Sequence, residues 1–177
     1  MIRFPQIVFL HGVDEESNTA MAQLESTLRS THPMVDYARP LIPGTDARKA
    51  MEWVERFYVY RLSERALLVG VDRGGLIACA LQTTFPWLKL SVCAINSPTE
   101  VEGLVAGQCE PHSRLALYSS AYDPIKGRCD WKQYTSLAYD LPWLADGSKN
   151  LFPLAYLISA WGRSADMDKE VSMLFPS

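Results

Sequence analysis

Residues 66–81 read Ala66-Leu67-Leu68-Val69-Gly70-Val71-Asp72-Arg73-Gly74-Gly75-Leu76-Ile77-Ala78-Cys79-Ala80-Leu81. The run from Ala66 to Val71 is apolar and too short for a typical helix, so it reads as a fully buried strand. Leu76, Ile77, Ala80 and Leu81 then follow helical spacing. Between them, Gly70 and Gly74 stand two residues before and two after Asp72. Glycines in those places suit a strand-to-helix turn so tight that a Cβ would collide, with the central side chain lifted above the sheet. The same pattern also suits an ordinary glycine-rich turn of another α/β fold.

Working outward, strands and helices alternate. Gln6–Leu10 is an apolar strand closed by His11-Gly12. Ser17 or Asn18 is placed to cap a helix with Ala20, Met21, Leu24 and Leu28 on its apolar face. A second strand covers 34–37. Thr45 then precedes a helix with Ala47, Met51, Val54, Phe57 and Tyr58 at helical spacing. Beyond the central stretch come a buried strand over 89–95, a weak helix over 99–106, and a strand over 115–120. A short helix over 131–135, a strand over 136–141 and an apolar helix over 151–161 complete the pattern. From about residue 162 the tail is polar and weakly periodic. Such alternation predicts one three-layer α/β/α domain spanning 1–177, with a mainly parallel sheet of about six strands. Right-handed crossovers place the strand C-terminal ends on one edge, where ligand sites form in such sheets.

Bulk properties narrow the function classes. With 48% hydrophobic and 21% charged residues, 177 residues bury a sizeable single core. A net charge of −3 gives no footprint for nucleic acid. No apolar run approaches a membrane span, and no basic run suits an anionic membrane surface. Met1-Ile2-Arg3-Phe4-Pro5 leads into a strand without the design of a secretory leader. The four cysteines are widely spaced with no CxxC. A reducing, cytoplasmic setting is the expectation.

Three turns fall on the predicted ligand edge: His11-Gly12, Asp72, and Ala121-Tyr122-Asp123-Pro124. Their order resembles the α/β-hydrolase fold, in a small form without a large lid, over roughly residues 5–161. The resemblance makes Leu10-His11-Gly12 the His-Gly turn, where backbone N–H groups at Gly12 and Val13 help bind an oxyanion. It makes Gly70-Val71-Asp72-Arg73-Gly74 the nucleophile elbow, with the Arg73 N–H as second donor. Asp123 then takes the place of the triad acid.

The departures from that pattern decide the chemistry. The elbow holds Asp72 rather than Ser or Cys. The loop 141–150, where the family's triad His lies, has no His, and Asp146 before Gly147 stands in its place. The chain has only three histidines. His32 and His112 belong on the opposite sheet edge, which leaves His11. Some hydrolases resembling haloalkane dehalogenases and epoxide hydrolases use an elbow Asp, but a His must then activate water to release the ester. His11 as that base competes with His11 as a hydrogen-bonded brace of its own turn. Asp72 as nucleophile competes with Asp72 as a helix N-cap.

Two functions follow. One is a non-catalytic protein with a degenerate triad, binding a small molecule or a protein at the old site through Gly12, Val13, Arg73 and Asp146. The other is an atypical hydrolase of ester or related bonds, with Asp72, Asp123 and His11 as its catalytic residues. The second reading admits a metal in place of His11, although the sequence holds no dedicated calcium loop; neither reading calls for a cofactor. Convergence of Asp72, Asp123 and Asp146 is expected on the fold, with Arg73 or Lys149 between them to offset like charge.

Overall fold

The computed structural model describes residues 1–13, 15–44, 46–122, 130–147 and 151–174. Six strands form a parallel sheet: β1 (Gln6–Leu10), β2 (Asp36–Ala38), β3 (Leu67–Val71), β4 (Ser91–Ile95), β7 (Arg114–Tyr118) and β8 (Leu137–Asp140). Their spatial order is β2-β1-β3-β4-β7-β8. β3 lies between β1 and β4, with Gly70 opposite Leu10 on one side and Ala94 on the other. Both of its edges are therefore paired, helices cover both of its faces, and all five of its residues are buried. A continuous apolar run is what such a position requires.

Period-two alternation divides the core. Ile7, Phe9, Leu67, Val69, Cys93 and Leu115 face one side, against α1 (Glu15–Thr31), α4 (Leu154–Gly162) and α5 (Met167–Leu174). Val8, Leu10, Leu68, Val92 and Ala116 face the other, against α2 (Ala47–Phe57) and α3 (Arg73–Thr84). The predicted face of α1 is the packed one, since Met21, Leu24 and Leu28 are fully buried. Each such side chain contributes about 1.5–3 kcal/mol. α3 is different: from Arg73 to Gln82 it is buried on every side.

Four expectations are corrected. Helix α1 begins at Glu15, so Ser17 lies inside it rather than capping it; its hydroxyl instead accepts the Gly12 N–H at 3.1 Å. The cap of α2 is Asp46, whose carboxylate accepts from the Arg48 and Lys49 N–H groups; Thr45 lies outside the described residues. The segment 99–106 is an antiparallel hairpin, β5 (Glu100–Val101) with β6 (Leu104–Val105). Its two-residue turn puts Glu102 at φ 50° and Gly103 at φ 86°, as a type I′ turn demands. The tail is not merely polar, because α5 buries Met167 and Val171 against the first core.

Candidate functional site

The turn from β3 into α3 is steric in origin. A Cβ on Gly70 would overlap the backbone of Gly74 and Gly75, and a Cβ on Gly74 would overlap the Leu10 carbonyl. Only glycine permits this approach of helix to strand. Asp72 sits at its apex with φ 55° and ψ −127°, a region that costs a non-glycine residue about 1–3 kcal/mol. Its backbone is held on both sides: its N–H donates to Ile95 O at 3.1 Å, and its carbonyl accepts from Gly75 N–H at 3.2 Å. Asp72 occupies the N-cap position of α3, yet its side chain accepts no capping hydrogen bond. Capping therefore does not repay the strain.

Next to Asp72 lies the turn after β1. A Cβ added at Gly12 would stand 3.1 Å from the Asp72 Cβ. His11 is engaged at both ring nitrogens. Nδ1 lies 2.6 Å from the Gly12 carbonyl, and Nε2 lies 2.9 Å from the Ile42 N–H. An amide can only donate, so Nε2 accepts, and Nδ1 carries the proton toward Gly12 O. Both nitrogens thus hold backbone. The Gly12 N–H is also engaged, donating to Ser17 Oγ, whereas Val13 is half exposed.

Arg73 completes this arrangement from the far side. It is 4% exposed, and its guanidinium donates to the carbonyls of Gly44 and Ile42. Ile42 is therefore gripped twice, at its N–H by His11 and at its carbonyl by Arg73. Burial lowers the Arg73 pKa from its ordinary value, and the charges of Asp72 and Asp46 oppose that shift. Its Nε is buried without a hydrogen-bond partner among the described residues.

No protein-family model and no curated protein sequence matches this chain. Solved structures do. The product of the ydeN gene of B. subtilis superposes with a TM-score of 0.62 at 14% identity, covering 88% of this chain and 97% of that one. MGS-MChE2, an α/β hydrolase enzyme from the metagenome of lagoon sediments at Mar Chica, Morocco, superposes with a TM-score of 0.59 at 13% identity, covering 92% of each chain. The chain has an α/β-hydrolase fold.

Within this α/β-hydrolase fold, the edge at the strand C-terminal ends gathers His11, Gly12, Asp72 and Arg73. Asp146 ends a 3-10 turn, Pro142–Asp146, that follows β8, and it is exposed. Asp123 and Lys149 lie outside the described residues. The Arg73 guanidinium is hydrogen-bonded to the 42–44 segment, with the Asp72 and Asp46 carboxylates in electrostatic reach.

Sequence reasoning missed Asn96, which is 1% exposed with φ 46°. Its Nδ2 donates to Leu144 O, and its Oδ1 accepts from Ser119 N–H, both at 3.1 Å. One side chain thus ties the ends of β4 and β7 to the turn that carries Asp146. The available signal was Asn96-Ser97-Pro98 after an apolar strand, since Asn tolerates the left-handed region.

Proposed function

We propose that this chain is a non-catalytic α/β-hydrolase-fold protein that binds a small molecule or a protein at the edge carrying Asp72. The observation that carries this reading is the state of His11. Both of its ring nitrogens hold backbone, so it offers no lone pair to a water. The other two histidines follow α1 and precede β7, at the strand N-terminal ends. A Ser-type mechanism lacks its nucleophile, and an Asp-type mechanism lacks the base that frees the enzyme. What the edge offers is recognition chemistry. The Asp72 carboxylate suits a ligand that brings a cation or hydrogen-bond donors, with Val13 as exposed apolar contact.

A second reading rests on the Asp72 backbone, since backbone strain is common at reacting groups. Here Asp72 would attack an electrophilic carbon, a C–O bond would form, and the leaving group would depart with its electron pair. The resulting ester would persist for want of a base.

Intact-mass measurement separates the readings. After incubation with 1,2-dibromoethane or styrene oxide we expect unmodified protein, and with any of these or p-nitrophenyl acetate no turnover. An adduct that maps to Asp72 and is lost in Asp72→Asn would establish the second reading. Sustained product release would overturn the first. Fluorophosphonate labelling is expected to fail in the wild type and in Asp72→Ser alone. The double variant Asp72→Ser, Asp146→His tests whether position 146 reaches the elbow.

A further inference from the structure

A cavity of about 950 Å3 opens at the opposite edge of the sheet, around the strand N-terminal ends. It belongs to neither reading of the Asp72 edge. Its size matches sites that hold drug-sized ligands. The floor is apolar where Leu90, Met167 and half-buried Leu137 line it; beside them the Phe4 and Trp161 rings carry the Arg3 guanidinium, 4.6 Å and 5.1 Å from their centroids. A ligand body without charge fits such a floor.

The rim is charged, and its two signs are employed differently. Glu110, Asp166 and Asp168 line the cavity, and each carboxylate already serves the fold. Glu110 accepts the His112 N–H, Asp166 accepts the Lys169 N–H, and Asp168 accepts the Tyr139 hydroxyl proton. Of the cations, Arg3 is committed, its guanidinium donating to Trp161 O and Ser164 Oγ, while Arg65 and Lys89 are less so. Arg65 is exposed, and its guanidinium has no hydrogen-bond or ion-pair partner among the described residues. Lys89 meets Glu64 only at 3.7 Å, with both side chains more than half exposed, an arrangement of little strength. The two cations lie just before the neighbouring strands β3 and β4, and Arg65 N–H donates to Leu88 O at 2.7 Å.

Backbone geometry adds an independent observation. Among the described residues, non-glycine positive φ occurs at Arg65, Asp72, Lys89, Asn96, Glu102 and Ser164. Arg65 (φ 66°), Lys89 (φ 50°) and Ser164 (φ 61°) all line this one cavity. Long cationic side chains are kept where glycine or asparagine would sit without strain. Strain of that kind clusters at ligand sites.

We infer that the cavity binds an amphiphilic carboxylate, its head held by Arg65 and Lys89 and its apolar body laid along Leu90, Leu137 and Met167. Guanidinium geometry matches a carboxylate by two parallel donors. A phosphate dianion fits less well, because Glu110, Asp166 and Asp168 face the same space. An ammonium head would meet Arg65 and Lys89 and be repelled.

The test uses the full chain and decanoate below its micelle concentration, with decanol, decylamine and decyl phosphate as parallel arms. Decanoate is expected to bind at one site and to shift the backbone amide resonances of Leu90, Ser113, Leu137 and Ala165. Decanol, decylamine and decyl phosphate should each bind at least tenfold more weakly. Arg65→Gln combined with Lys89→Gln should weaken decanoate at least tenfold while leaving the melting temperature unchanged, because both side chains are exposed. Asp72→Ala should leave decanoate binding unaltered, which separates this site from the opposite edge. Absence of binding, shifts confined to Gly12 and Asp72, equal binding of decanol or decylamine, tighter binding of decyl phosphate, or full retention in the double variant would each overturn the inference.

Discussion

The two edges of this sheet carry opposite chemistry. At the C-terminal ends, polar side chains turn inward to hold the chain's own backbone: His11 and Arg73 grip Ile42, Ser17 takes the Gly12 N–H, and Asn96 ties β4 and β7 to the 142–146 turn. At the N-terminal ends, the carboxylates serve the fold while Arg65 has no partner among the described residues. Both edges contain strained non-glycine residues, Asp72 and Asn96 on one and Arg65, Lys89 and Ser164 on the other. The position a fold uses for catalysis is thus a poor guide to where hydrogen-bonding capacity remains open. On one edge strain shapes a turn that packing demands, and on the other it holds cations over an apolar floor.

The largest expected effect breaks the first edge outright. Gly74→Ala drives a methyl group into the Leu10 carbonyl, which is backbone of a central strand and cannot move aside. We expect a loss of about 3 kcal/mol or more in urea unfolding, with Asp72 displaced with the start of α3. A loss below about 1 kcal/mol would mean that strand and helix are not in such close approach.

A smaller effect compares strain across the edges. Asp72→Gly relieves φ 55°, ψ −127° without removing a cap. The strain relieved is about 1–3 kcal/mol, and the added freedom of the unfolded glycine offsets roughly 0.5–1 kcal/mol. A net gain near 1 kcal/mol is expected in thermal melts. Lys89→Gly relieves an ordinary left-handed conformation, φ 50°, ψ 45°, so its net effect should stay within about 0.5 kcal/mol. If Asp72→Gly destabilises, the carboxylate makes interactions worth more than the strain, and the first edge is held by Asp72 rather than merely shaped around it.

The same contrast shows what a sequence can disclose. The central stretch was legible because its signals are local. A short apolar run and glycines at fixed offsets report a steric demand inside ten residues. The six strands, the α1 face and the strained apex at Asp72 followed from such signals. Long-range hydrogen bonds are not local. That His11 holds Ile42, and that Arg73 is buried rather than surface-exposed, depends on a loop about thirty residues away. Arg114 is a similar case: it opens β7, yet it is 1% exposed and held by Gln82, Ala106 and Gly107. The hairpin over 100–105 was misread because the Glu102-Gly103 turn signal was outweighed by a weak helical pattern. The cavity had no sequence signature, since its walls come from both ends of the chain.

The smallest effect belongs to His32, which lies on the N-terminal edge beside α4. Its Nε2 is 2.6 Å from Ser159 Oγ. Burial lowers its pKa from 6.5, and the positive charges of Arg163 and the chain N-terminus lower it further. The folded protein therefore binds this proton less readily than the unfolded chain does. Stability rises with pH wherever the unfolded state binds more protons. His32 accordingly destabilises the fold at acid pH, and that penalty fades as pH climbs through the lowered folded value to 6.5. Above that, both states hold a neutral ring and the term is flat. Because the ring is partly exposed, the expected effect is small, about 1–2 °C in Tm between pH 5 and pH 7. His32→Gln should remove that part of the rise while leaving the rest of the pH profile in place. An unchanged slope in the variant would assign the pH response to other groups. A slope that steepens would mean that the imidazolium is favoured in the fold, reversing the sign argued from Arg163 and the N-terminus.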